Sequence, residues 1–343
     1  MQCNLSWNPV LSTVLAPLLA LECILGLVGN GFALFIFCFH MRPWKSNTIF
    51  LLSLVLADFF LIINLPFRVD YYFRNQTWKF GHYGCKVNLF MVSTNRIASI
   101  VFLTAIAFNR YLKVVWPHHT LSRASAGSAV QVSIGLWVLV LFINMPLLFS
   151  NPQSLYSDVS CLSFSINNKN SMALRWHQTL YVLDFFLPLG IILFCIFSII
   201  FTIRRRNLGK QAGARRAILV LGVVVAVYIF CFLPSIVFGM ASLLAYQYKN
   251  CQAFTICAHL FHGTLAFTYL NSTLDPVFYC FSSPNFLCQS KMLLCRRDPS
   301  AKIQNEQEDD DGSSIQPSRL GKPEKPSRAA NESSISYKAG LQI

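Results

Sequence analysis

Arg96 is the residue that most constrains the chemistry of this chain. It stands inside an apolar stretch running from Asn88 to Phe108, eleven positions after Cys85. A guanidinium taken out of water demands a partner. Its planar fork suits a carboxylate, supplied either by the chain or by a ligand. Asp184 and Glu22 are the internal candidates, and no Asp lies one turn before Arg96 to hold a cation instead. The expected ligand is therefore an anion, and Phe67, Leu89, Met91, Phe164 and Phe267 would suit an acyl chain attached to it. A second group is formed by Asn30, Asp58, Ser99, Asn271, Ser272 and Asp275, which fall at mid-depth in four different apolar stretches. Polar groups there are costly and mark function. Gathered together they would hydrogen-bond one another and hold water or one Na⁺, a cation that takes oxygen ligands. A purely structural polar knot is the alternative, at about 1 kcal/mol per bond. Ser99 follows Arg96 by three residues on the same helical face, so Arg96 is expected to point inward with it. No Ser-His-Asp set, metal-ligand cluster or phosphate loop occurs at usable spacing, and His118-His119 lacks a third ligand. The chain reads as no enzyme, with no cofactor beyond that structural Na⁺.

The elements that must position these groups are membrane spans. Apolar residues make up 54% of the 343 positions and charged ones 12%, whereas soluble domains carry about 25% charged residues. Lipid is the solvent for most of this chain. Seven stretches are long and apolar enough to cross it: about 14–40, 47–73, 83–115, 127–149, 175–203, 215–245 and 253–281. No internal repeat of the kind common in transporters is visible. Lys and Arg divide ten against four between alternate loops. Arg42, Lys45, Lys113, Arg123, Arg204, Arg205, Arg206, Lys210, Arg215 and Arg216 lie on one side; Arg74, Lys79, Lys169 and Lys249 lie on the other. Positive charge marks the cytoplasm, so the N-terminus is expected outside, and the sequons at Asn4 and Asn75 fall outside as glycosylation sites. The net charge of +14 then reflects loops facing anionic lipid and a protein partner, not nucleic acid. The expected architecture is all-α. It has a short extracellular N-terminus (1–13), a seven-transmembrane bundle (14–282), an amphipathic membrane-surface helix (283–296) and a disordered cytoplasmic tail (297–343). Ser283 and Pro284 read as N-cap and first-turn proline of the short helix, with Phe286, Leu287, Met292, Leu293 and Leu294 on the membrane. Cys295 is a candidate for palmitoylation.

The set Gly29-Asn30, Leu56-Ala57-Asp58, Cys85, Asn109-Arg110-Tyr111, Trp137, Pro188, Phe232-Leu233-Pro234 and Asp275-Pro276-Val277-Phe278-Tyr279 resembles the rhodopsin-like (class A) G-protein-coupled receptors. It places one motif in each span, in the family's order. The resemblance implies a plasma-membrane receptor with a Cys85–Cys161 disulfide clamping an outer loop to the third helix. It also implies an inner crevice that opens when the sixth helix swings outward. Arg110, Tyr111, Pro234, Pro276 and Tyr279 belong to that switch and its G-protein surface. Two departures matter: Asn109 stands where the family usually has Asp, and Phe232 where it usually has Trp.

A narrower resemblance follows. Pro66-Phe67-Arg68-Val69-Asp70-Tyr71-Tyr72, Asn95-Arg96, Tyr111-Leu112-Lys113-Val114-Val115, Pro117-His118-His119 and Phe281-Ser282-Ser283-Pro284 are similar to the hydroxycarboxylic acid and oxoeicosanoid receptor group. Leu21-Glu22, Gly26-Leu27-Val28-Gly29-Asn30, Cys85-Lys86-Val87-Asn88-Leu89-Phe90-Met91, Leu174-Arg175-Trp176-His177-Gln178 and Phe238-Gly239-Met240-Ala241-Ser242 resemble its oxoeicosanoid side. This implies that Arg96 takes the ligand carboxylate, assisted by Tyr269 and Ser163, and that signalling runs through an inhibitory heterotrimeric G protein. Receptor kinases and arrestin would act on serines of the tail. Cys3 would pair with Cys251 or Cys257, one of the three being left over. A short hydroxycarboxylic acid is the alternative ligand, and an organic-anion transporter the distant alternative function.

Overall fold

A computed structural model describes residues 9–119, 125–149, 161, 172–206 and 212–295. Cys3, Asn4, Ser163, Phe164 and the tail from residue 296 lie outside the described residues, as does the side chain of Cys295. Eight helices occur among the described residues: α1 (Pro9–Phe39), α2 (Ser46–Phe73), α3 (Gly81–Val115), α4 (Ala126–Phe149), α5 (Met172–Arg205), α6 (Ala212–Gln247), α7 (Cys251–Ser282) and α8 (Pro284–Cys295). The first seven contain stretches long and apolar enough to span a bilayer, and the chain is a multi-pass membrane protein. A helix is the economical answer in lipid because it satisfies its own backbone. The described part of α1 begins at Pro9, five residues before the sequence expectation of 14, because a proline is tolerated in a first helical turn.

α3 lies at the centre, packed on α2, α4 and α5, while α1 packs on α2 and α7, and α6 on α5 and α7. α4 is apolar all round and leaves Val138, Phe142 and Phe149 exposed, as a helix bordering lipid should. The buried faces of the others form one core in which Phe37, Phe102, Phe185, Tyr228, Phe232 and Tyr279 are enclosed. One close approach depends on a glycine. A Cβ at Gly29 would stand 2.8 Å from Pro276 Cγ, so α1 and α7 touch only because Gly29 has none. We expect Gly29→Val to pry this seam apart and reduce the folded receptor at the cell surface, measured by epitope staining, by roughly the 1–3 kcal/mol typical of overpacking.

α8 begins as its sequence indicates, with the Phe286 amide donating to Ser283 Oγ at 3.3 Å. Its lining differs from expectation in one respect. Phe286 does not lie on the membrane but is buried at 2% exposure, its ring 5.1 Å from Phe37 and 5.9 Å from Tyr279. The gap between the ends of α1 and α7 accepts a ring, so burial there wins over contact with lipid; Leu293 and Leu294 keep the exposed face.

Candidate functional site

Three polar constellations interrupt this apolar bundle. The first surrounds Arg96, 7% exposed on the face of α3 that meets α5. Its Nη2 donates to Asp184 Oδ1 at 3.0 Å and to the Tyr181 carbonyl at 3.2 Å. Residues 181, 184 and 185 share a face of α5 at about 100° per residue, which brings both partners to the same guanidinium. The Tyr181 ring lies 3.6 Å from Arg96 Cζ, a cation–π contact, and the Phe232 ring lies 5.9 Å away. Of the two internal acids the sequence offers, α5 supplies the one that pairs. Glu22 lies elsewhere, buried on α1, with Oε2 making no hydrogen bond.

The partners of Arg96 lead directly to α6. Tyr228 donates from its hydroxyl to the carbonyls of Asp184 and Phe185, at 3.0 and 2.9 Å; Pro188, which has no N–H, leaves the Asp184 carbonyl without its helical donor. Its ring stacks on Phe185 at 5.3 Å and meets Phe232 at 5.2 Å. Phe232 precedes Pro234, the helix-interior proline of α6. A charge placed at Arg96 therefore has a packed route to the point where α6 is weakest. Neither Tyr181 nor Tyr228 was singled out from the sequence, where each is one aromatic among many.

The remaining residues expected at the ligand are placed unevenly. Leu89 is buried on α3 two turns from Arg96 and on the same face. Tyr269 is buried on α7, within electrostatic reach of Tyr181 and of Arg68. Phe267 is not brought to the site. It is 38% exposed and its ring meets Phe230 on the outward side of α6 at 5.3 Å. A second buried arginine, Arg68 of α2, was missed as a functional residue. It donates to the Cys161 carbonyl at 3.2 Å and lies within electrostatic reach of Tyr269 and His262. Cys161 is bonded to Cys85, with Cα atoms 5.7 Å apart, so the disulfide fixes this carbonyl beside the bundle mouth. Cys251 is disulfide-bonded and Cys257 is a free thiol.

The second constellation joins α1, α2, α3 and α7. Asn30 donates to the Ser272 carbonyl at 2.8 Å. Asn95 donates to the Ala57 carbonyl at 3.0 Å, to Ser272 Oγ at 3.1 Å and, more weakly, to Asp58 Oδ1 at 3.5 Å. Tyr279 donates to Asp58 Oδ2 at 3.2 Å and Asn271 to Asp275 Oδ2 at 3.4 Å. Asn95 was not placed in this network from the sequence, although its offset of about 100° from Arg96 turns it toward α2 and α7. Ser99 Oγ, Asn271 Oδ1 and Asp275 Oδ1 are buried without a hydrogen-bond partner. Buried oxygens of this type, the Asp275 carboxylate among them, are the donors a hard cation uses.

The third lies at the α8 end. Arg110 Nη2 donates to the Ser282 carbonyl, and Arg216 Nε to the Phe281 carbonyl at 3.4 Å. Both carbonyls are among the last of α7, which have no partner within the helix. Asn109, beside Arg110, leaves its Nδ2 without a hydrogen bond, and the Tyr111 hydroxyl accepts from Trp116 Nε1 at 3.2 Å. Among the described residues no group of three His, Cys, Asp or Glu could hold a metal.

Residues 29–279 match the model of the 7 transmembrane receptor (rhodopsin family). Oxoeicosanoid receptor 1 of Homo sapiens is 59% identical over 329 residues, 96% of this chain and 83% of that protein. Hydroxycarboxylic acid receptor 3 of Homo sapiens is 45% identical over 83% of this chain and 73% of its own length. The 12-(S)-hydroxy-5,8,10,14-eicosatetraenoic acid receptor of Mus musculus is 34% identical over 84% of this chain and 90% of its own length. With seven spans, motifs in family order and these relatives, the chain belongs to the rhodopsin family of G-protein-coupled receptors, in the group of oxoeicosanoid and hydroxycarboxylic acid receptors, and is a receptor and not an enzyme.

Proposed function

We propose that this receptor answers an oxidised long-chain fatty acid of the oxoeicosanoid type and signals through inhibitory G proteins to lower cyclic AMP. The observation that carries this is the Arg96 guanidinium, buried against the Tyr181 and Phe232 rings with Leu89 two turns away on the same face, where a carboxylate with an apolar chain would be matched at both ends. Tyr269 would assist from α7, and Ser163 from the loop after Cys161. The chain enters the membrane with its N-terminus outside, as the loop charges favour. Asp58, Ser99, Asn271 and Asp275 would hold a Na⁺, which supplies the positive charge their oxygens lack. The α8 end, with Arg110 and the basic ends of α5 and α6, would meet the G protein, and serines beyond residue 312 would take phosphate and recruit arrestin.

Mechanistically, ligand and G protein act on one equilibrium. Both conformations pre-exist, and the ligand shifts them only by its differential affinity. Arg96 reaches α6 through Asp184, Tyr228 and Phe232, so a change of partner at the guanidinium alters the α5–α6 seam. The similarity to hydroxycarboxylic acid receptors supports a second reading, a short hydroxy acid on the same arginine. Cyclic-AMP inhibition in transfected cells tests both. We expect a pertussis-toxin-sensitive response to 5-oxo-eicosatetraenoic acid and no response to its methyl ester. A response to short hydroxy acids alone would establish the second reading, and silence to every acid would leave the ligand assignment refuted.

A further inference from the structure

Arg96 is not waiting for a ligand with its charge uncompensated. Asp184 already accepts from it at 3.0 Å, and the side chains of the pair are 8% and 10% exposed. The same Nη2 is held by the Tyr181 carbonyl, and the Tyr181 ring covers one face of the guanidinium. A second carboxylate added to this site would set two like charges a few ångströms apart in a medium of low polarity, where repulsion is strong. One of the two must leave. Beside the pair, between α3, α4 and α5, lies a small, partly open cavity with room for about one water-sized group, and Asp184 itself lines it. Its lining also includes Ile97, Leu147 and Leu180, with Ser93, Asn144 and Tyr181 among the side chains that carry polar atoms. An aspartate turning that way meets the Ser93 hydroxyl and the Asn144 amide, whose Nδ2 already donates once, to the Val140 carbonyl at 2.8 Å.

We propose that Asp184 is a built-in competitor for Arg96: the ligand carboxylate takes its place on the guanidinium, and the aspartate turns into the α3–α4–α5 cavity toward Ser93 and Asn144. This rests on Arg96 being the ligand anchor. The internal carboxylate sets the threshold for response, because apparent affinity falls by the fraction of time the arginine is occupied. It also sets specificity: a ligand without an anionic head cannot displace it. The exchange acts on the receptor's moving parts, since the Asp184 carbonyl is one of the two that Tyr228 of α6 holds.

The test is equilibrium binding of tritiated 5-oxo-eicosatetraenoic acid to membranes, normalised to epitope-counted receptor, for wild type, Asp184→Asn, Asp184→Ala and Arg96→Ala/Asp184→Ala. Asparagine preserves shape and an acceptor for Nη2 while removing the competing charge. We expect Asp184→Asn and Asp184→Ala to bind the acid at least about tenfold more tightly, and the double variant to show no saturable binding. Acid binding that is unchanged or weaker in both single variants, while the double variant does not bind, overturns the competitor and leaves the anchor. Wild-type binding by the double variant overturns the anchor, and the competitor falls with it.

Discussion

An Arg96→Ala receptor is expected to reach the cell surface poorly and to ignore carboxylate lipids, whereas an Arg96→Ala/Asp184→Ala receptor is expected to reach it and still ignore them. The asymmetry follows from the ion pair. Removing one member strands the other charge in an apolar bundle, which costs about 3–5 kcal/mol; removing both is often near neutral. Set against a net stability of about 5–15 kcal/mol, the single truncation is severe. The alanine at 96 also forfeits the cation–π contact with Tyr181, a loss the double variant does not repair, so recovery should be substantial but incomplete. Surface epitope staining and lipid-driven cyclic-AMP inhibition in the same cells separate folding from binding. Full surface expression of Arg96→Ala would show that the pair contributes little to the fold. A lipid response from the double variant would show that Arg96 is not the anchor. Because the double variant removes the guanidinium without leaving a buried carboxylate, its silence is free of the ambiguity that surrounds the single truncation.

The same pair shows where the sequence was legible. Seven spans could be read because lipid imposes a length and a composition that few other constraints can imitate. Arg96, Asp58 and Asp275 stood out because polar groups in a span are expensive. The choice between Asp184 and Glu22 did not, since it depends on how α5 rotates against α3, a matter of packing between helices rather than periodicity within one. Asn95 was hidden by its neighbour: Arg96 claims attention, yet the two residues face different helices. Phe267 illustrates a signal that was present and unused. Two positions on a helix are about 200° apart, so Phe267 and Tyr269 do not share a face, and the inward Tyr269 turns Phe267 toward Phe230. Phe286 went the other way because an amphipathic pattern records which side is apolar, not whether a gap between α1 and α7 will accept one ring.

The α8 end yields the second large effect, on signalling without ligand. Family resemblance expects an aspartate before Arg110 to restrain it, and Asn109 supplies no charge. The restraint that the fold provides instead is the C-terminus of α7, whose last carbonyls carry the negative end of the helix dipole. Arg110 of α3 binds the Ser282 carbonyl and Arg216 of α6 the Phe281 carbonyl, so two helices are tied to one helix end. Bonds from a charged donor are worth about 1.5–3 kcal/mol, and the 3.4 Å length of the Arg216 contact puts it at the weak end of that range. Outward movement of α6 must break the Arg216 bond. We therefore expect signalling above that of mock-transfected cells in the absence of ligand, a further rise of up to about tenfold in the active-to-resting ratio for Arg216→Gln, since each 1.4 kcal/mol is a factor of ten, and a fall for Asn109→Asp. Basal cyclic-AMP inhibition at matched surface expression reads all three. If wild type and Arg216→Gln both sit at the mock level, the α7 terminus holds the resting state as firmly as an aspartate would, and the weakness inferred from Asn109 does not exist. If Arg216→Gln leaves a measurable basal signal unchanged while Asn109→Asp lowers it, the Arg110 tie at Ser282 carries the restraint and the Arg216 bond adds nothing to it.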